Sequence, residues 1–169
     1  MTTPAPIIVT ALFGAQDFAW LDDLRRRHYP AERNRVPAHL TLFHHLAPDL
    51  APELRQRLAA ATRGQPAPRG WIAGVLDMDG GVGLRVESPE LEAIRADLAE
   101  AFGAMLMPQD RAGWRPHVTV QNKVAPAEAR ALRARLAAEI IRRPLAITGL
   151  AAWHYRGGPW EPLSRHMFA

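Results

Sequence analysis

Two short segments hold the residues best suited to chemistry. Pro37-Ala38-His39-Leu40-Thr41-Leu42 and Arg115-Pro116-His117-Val118-Thr119-Val120 each set a histidine two residues before a threonine. Side chains in a strand alternate between faces. His39 and Thr41 therefore share one face, with Leu40 and Leu42 on the other. His117 and Thr119 likewise share a face opposite Val118 and Val120. Histidine titrates near pH 6.5, so one ring can take a proton and a second can give one near neutrality. Threonine hydroxyls can donate to the non-bridging oxygens of a phosphate and hold it in line. Two such pairs facing one anion suit displacement at phosphorus, with a base on the attacking side and an acid at the leaving oxygen. The two rings handle the protons, so the chemistry calls for no metal. The residues alone leave open which ring is the base.

The elements that must carry these pairs follow from periodicity. Ile7 to Phe13 is an apolar, β-branched run that reads as a buried strand. Phe18, Leu21 and Leu24 recur at helical spacing between Asp17 and His28, with Arg25, Arg26 and Arg27 expected as a solvated last turn. A strand over 38–46 and a helix over 50–62, with Leu50, Leu54 and Leu58 on one stripe, come next. Segments 71–78 and 83–87 read as a hairpin turning at Asp79, Gly80 and Gly81. Ser88 caps a helix opened by Pro89. A strand over 117–124, a helix opened by Pro126 and ended by Pro144, and a strand over 145–155 complete the order. Gly157, Gly158 and Pro159 then turn the chain into a tail.

The order repeats. With His39 set against His117, an offset of 78, 11 of the next 22 positions are identical. Chance in so alanine-rich a chain gives roughly two. Duplication within one chain is the reading. The expected architecture is α+β: a single domain over 1–169, internally duplicated and bilobal, with two antiparallel-rich sheets around a central cleft and helices outside. Each lobe would present one imidazole beside one hydroxyl, and the two pairs would face each other across the cleft.

Composition narrows the alternatives. The chain has 169 residues and no cysteine, which excludes a disulfide scaffold, a thiol nucleophile and a cysteine-held metal centre. Charged residues make up 22%, an ordinary globular value, and the net charge of +4 permits an anionic ligand. Met1 to Pro6 carry no positive side chain and no apolar run approaches a membrane span, so a cytoplasmic protein is expected. His44 and His45 would point to opposite faces of one strand, which argues against shared metal ligation. The run Gly80-Gly81-Val82-Gly83 lacks the lysine and the strand-to-helix context of a nucleotide loop. No heptad seam or long apolar surface helix points to an oligomer.

The paired His-x-Thr segments, in a repeat of this spacing, resemble the two-histidine phosphoesterases, the 2′-5′ RNA ligase-like family. His39-Leu40-Thr41-Leu42 and His117-Val118-Thr119-Val120 match its two motifs, and the resemblance covers nearly the whole chain. It implies opening of 2′,3′-cyclic phosphodiesters at RNA ends or on small nucleotides, commonly leaving a 2′-phosphate. His39 and His117 would be base and acid, Thr41 and Thr119 phosphate ligands, with no cofactor, metal or membrane partner. Family members often continue the first motif with Phe-Leu-Gly, whereas this chain has Phe43-His44-His45.

Strand alternation supplies further candidates. Arg115, Gln121 and Lys123 would share the face of His117, and Arg115 or Lys123 could hold the substrate phosphate. Phe43 and His45 would share the face of His39, with Phe43 placed to stack a base. Trp153 and Tyr155 would form a second platform if the last strand lines the cleft. Two rival functions stand beside this one. One is a non-catalytic module of the same fold that binds RNA ends or nucleotides. The other is a phosphodiesterase for another substrate, such as cyclic ADP-ribose phosphate or a 2′-5′ oligonucleotide.

Overall fold

The computed structural model describes residues 4–169, so the first three residues of the N-terminal stretch considered for a leader lie outside the described residues. The elements run in the order β1 (Ile7–Phe13), α1 (Ala15–His28), β2 (Leu40–Leu46), α2 (Ala51–Thr62), β3 (Arg69–Asp77) and β4 (Val82–Glu87). They continue with α3 (Pro89–Phe102), α4 (Pro108–Arg111), β5 (His117–Gln121), α5 (Pro126–Glu139), β6 (Arg143–His154) and β7 (Glu161–Met167). Ser88 caps α3 by accepting from Leu91 N at 3.2 Å, and Pro89 takes the first helical position, where no N–H is needed.

Three elements differ from the sequence reading. α5 ends at Glu139, before Pro144, which instead sits near the start of β6 opposite Trp71. A proline is tolerated there because strand ends leave donors unpaired. The tail after the glycine turn is β7, paired with β6 from Gly149 to His154. The short α4 fills the loop before β5.

The strands form one seven-stranded sheet in the order β1-β2-β5-β4-β3-β6-β7, and β1 also pairs with β6. Six strands therefore close into a barrel-like ring, with β7 on its outside edge. This corrects the expectation of two separate sheets. The physical reason is the length of β6. Its first residues, Arg143 to Ala146, pair with β3, while its remainder pairs with β1 and β7. On the other side, β2 meets β5 at Leu40 and Val118. Every ladder is antiparallel.

One apolar cluster joins the buried face of the sheet to the helices. It includes Leu21 and Leu24 of α1, Leu54 and Leu58 of α2, Leu91, Leu98 and Phe102 of α3, and Leu132 and Leu136 of α5. Their three- and four-residue spacing is the pattern of a helix that buries one stripe. Among the described residues no helix is long and apolar enough to cross a membrane.

Candidate active site

The site starts from one register. Leu40 pairs antiparallel with Val118, and continuing that register sets His39 beside Thr119 and Thr41 beside His117. Leu40 and Val118 are fully buried on the core side. The two histidines and two threonines are thereby turned to the other face, as neighbours on adjacent strands of one sheet. With Ile8, His44 and Trp160 they line a cavity of about 150 Å³.

Both rings are held in the same way. His39 Nδ1 donates to Pro37 O at 2.8 Å, and His117 Nδ1 donates to Arg115 O at 2.7 Å. A carbonyl can only accept, so each Nδ1 carries the hydrogen and each Nε2 is the atom left for proton transfer. Gly83 on the adjoining β4 leaves room for this arrangement. A Cβ there would lie 3.4 Å from His117 Cδ2 and 3.0 Å from Met78 Sδ.

The surroundings of His39 are specific to it. The indole of Trp160, just before β7, meets the imidazole edge-on with centroids 4.6 Å apart and planes at 61°. Trp153 backs Trp160 at 6.3 Å and donates its Nε1–H to Thr10 Oγ1 at 2.9 Å. Burial pushes the His39 pKa down to about 4, against the opposing bond to Pro37 O, and the charges of Arg25, His117 and His44 push the same way as burial. His39 is therefore neutral at pH 7, with a lone pair on Nε2.

Arg25 is the surprise among the three arginines that end α1. Arg26 and Arg27 pair with Asp22 and Asp23 at the surface, as a solvated helix end should. Arg25 is buried instead, donating to Thr119 O at 2.9 Å and Asn34 Oδ1 at 2.8 Å, with its guanidinium 4.1 Å from the Tyr29 ring centroid. It braces the backbone of the second His-x-Thr strand from behind.

Simple alternation fails in β2 after Thr41. Val9 and Thr10 are consecutive in β1, yet they pair with Phe43 and Thr41, so β2 carries one extra residue there. A bulge of this kind shifts the faces beyond it. Phe43 consequently turns inward. It is fully buried against Phe102, with ring centroids 6.4 Å apart, and under the Arg95 guanidinium at 4.5 Å. Phe43 therefore cannot stack a substrate base. His44, not His45, joins His39 and Thr41 at the cavity.

The remaining candidates part company. Arg115 lines a second cavity of about 310 Å³, which adjoins the first through Thr41, His44 and His117. Lys123 lies beyond the end of β5 with φ 60° and lines neither cavity. Gln121 is buried, because the β4–β5 ladder has its own irregularity between Val82 and Gly83. Tyr155 follows β6, is largely exposed and also lines neither cavity. Sequence reasoning missed Trp160 and His44. Trp160 directly follows the Gly157-Gly158-Pro159 turn, where an aromatic residue was the available signal.

The closed antiparallel sheet with its helices is an α+β fold already known among solved structures. TT0787 of Thermus thermophilus superposes with a TM-score of 0.64 at 17% identity, covering 96% of this chain and 97% of that one. Escherichia coli LigT complexed with 3′-AMP gives 0.63 at 17% identity, with 99% of each chain covered. A structure described as a phosphoesterase gives 0.56 at 19% identity, over 98% and 99%. No curated protein matches the chain by sequence. Residues 13–159 match the 2′-5′ RNA ligase superfamily, and the chain belongs to this family of two-histidine phosphoesterases.

Proposed function

We propose that the protein hydrolyses 2′,3′-cyclic phosphodiesters at RNA ends or on small nucleotides without a metal ion. The observation that carries the reading is the cavity itself, a phosphate-sized space with His39, His117, Thr41 and Thr119 on its wall. In the same reading the chain is one domain whose two halves are copies of a single unit.

The roles divide by environment. His39 is neutral at pH 7, which suits the base. Its Nε2 takes a proton from water as the water oxygen attacks phosphorus. The bond from phosphorus to one oxygen of the cyclic phosphate breaks. His117, entering the step as the imidazolium, gives that oxygen the proton on Nε2 while Nδ1–H stays on Arg115 O. The product is a phosphomonoester beside a free hydroxyl. The family resemblance favours rupture at the 3′ oxygen, which leaves a 2′-phosphate. Thr41 and Thr119 donate to the non-bridging oxygens, whose charge grows in the transition state. Escherichia coli LigT has been solved with 3′-AMP, NADP+ and ATP, so a structural relative binds nucleotides. Arg115, which lines the adjoining cavity, would add positive charge toward the phosphate in this reading.

Turnover of 2′,3′-cyclic AMP by wild type, His39→Ala and His117→Ala, with and without EDTA, tests this. Each alanine variant should lose about 10²–10⁴-fold in rate. EDTA should change nothing. Full activity in either variant, or loss to EDTA that one divalent metal restores, overturns the reading. Tight binding of a 2′-nucleotide without any turnover by wild type would establish a binding module instead.

A further inference from the structure

We propose that His44, fixed by Asp110, is a third substrate-contacting histidine, and that the cavity beside the catalytic one holds the nucleoside of the substrate. This rests on the phosphodiesterase reading above and names the part of the substrate that the second cavity takes.

The dyad is built into the fold. The Asp110 side chain is fully buried, and its carboxylate accepts from His44 N at 2.8 Å and His45 N at 3.0 Å. Its Oδ1 also lies 3.2 Å from His44 Nδ1. Burial alone would raise the carboxyl's pKa, but the bonds from the His44 ring and from the two backbone N–H groups outweigh it and hold the group below its ordinary value. An ionised carboxylate can only accept. His44 Nδ1 therefore carries the hydrogen, and Nε2 is the ring atom that remains for a ligand. Arg95 braces the arrangement by donating to Leu42 O at 3.2 Å and Asp110 O at 2.7 Å, tying β2 to α4 on either side of the dyad.

His44 stands where the two cavities meet, since it lines both. The smaller cavity is accounted for by a phosphate and its four His and Thr groups. What is attached to that phosphate must leave through a shared wall, and the larger cavity opens at Thr41, His44 and His117. Its lining combines the indole of Trp114 and the thioether of Met78 with Gln109 and Arg115. Trp114 is itself anchored, donating Nε1–H to Thr41 O at 3.0 Å. A planar apolar wall with a few fixed polar groups is the composition of a small-molecule site, and an indole suits a base or sugar face. In this protein the Phe43-His44-His45 departure from the family's motif is the device that puts an imidazole at the junction.

The test is binding of 2′-AMP and of inorganic phosphate, measured by calorimetry on wild type, His44→Ala and His44→Gln. Alanine keeps both backbone bonds to Asp110, and near-ultraviolet circular dichroism confirms that the variant is folded. His44→Ala should weaken 2′-AMP about tenfold while inorganic phosphate changes by less than about twofold. His44→Gln, whose amide oxygen can accept where the Nε2 lone pair accepted, should recover most of the 2′-AMP affinity. Equal weakening of both ligands would make His44 a phosphate ligand and overturn the nucleoside assignment. No change in either ligand overturns it as well. Absence of turnover in wild type defeats the catalytic reading separately, because this contrast depends on binding alone.

Discussion

Leu40 of β2 and Val118 of β5 are paired across the sheet, and they are also the two residues that the 78-residue offset equates. An antiparallel ladder has a local twofold axis midway between two opposed residues. At this point the symmetry of the ladder and the symmetry of the sequence coincide. His39 and Thr41 on one side therefore map onto His117 and Thr119 on the other.

That junction should be costly to disturb. Leu40 is fully buried, and truncation to alanine leaves a cavity under both His-x-Thr strands. Leu40→Ala should lower unfolding free energy by about 2–5 kcal/mol. Urea titration measures the loss, and a cost well under about 1 kcal/mol would mean that the two strands do not depend on this packing.

The pH dependence of His39 has a definite sign. Its folded pKa of about 4 lies below the ordinary 6.5, so between those values the unfolded chain binds a proton that the folded one refuses. The stabilising contribution is complete above pH 6.5 and is lost as pH falls through about 4. Burial displaces His28 and His166 in the same direction, so the measurement is a comparison. The thermal midpoint of His39→Gln should fall less steeply over this range than that of wild type. In the wild type kcat/KM should also lose activity on its acid side with a midpoint about 4.

Trp160 is the side chain to vary for catalysis without touching the proton carriers. It covers the edge of His39. Trp160→Ala lets water reach that ring, so the acid limb of kcat/KM should move upward toward the ordinary histidine value. Trp160→Phe should move it less. An acid limb that stays where it was in Trp160→Ala would remove the indole from the account of His39.

Asp110 should matter for stability more than its place in a short helix suggests. Asp110→Ala strips the acceptor from His44 N and His45 N at a buried position. The expected loss is about 2–4 kcal/mol at pH 7. Because the folded pKa is depressed below 3.8, the part of the contribution that depends on ionisation is present above that pH and is lost as pH falls below it. A protonated carboxyl can still accept through its carbonyl oxygen. Denaturant curves for wild type and variant should therefore draw closer in acid.

Much of the fold was legible because local patterns agreed with the whole. Ile7–Phe13 is a strand between the expected ends, and Ser88 with Pro89 starts α3 where cap chemistry places it. The alternation in His39-Leu40-Thr41 and His117-Val118-Thr119 correctly separated core from cavity. What escaped depends on partners distant in the chain. The extra residue in β2 has no compositional mark, since Phe43 is apolar and equally at home on a cleft wall or in a core. β7 has only half-buried and exposed positions along an edge, so no apolar run announces it. Arg25 differs from Arg26 and Arg27 only in which way α1 presents it to the sheet. The joining of two expected sheets into one ring was hidden for the same reason, because β6 changes partners along its length.

The bulge after Thr41 has a consequence for how such proteins diverge. Removing one residue between Thr41 and His44 would leave a single inward residue between them and keep His44 on the face of His39 and Thr41. Flattening the bulge at unchanged length would instead bring Phe43 and His45 to that face, swapping the ring that borders the cavity while leaving the His39 and Thr41 frame intact. In this architecture the identity of the cavity's neighbours is governed by how β2 registers against β1 as much as by residue type.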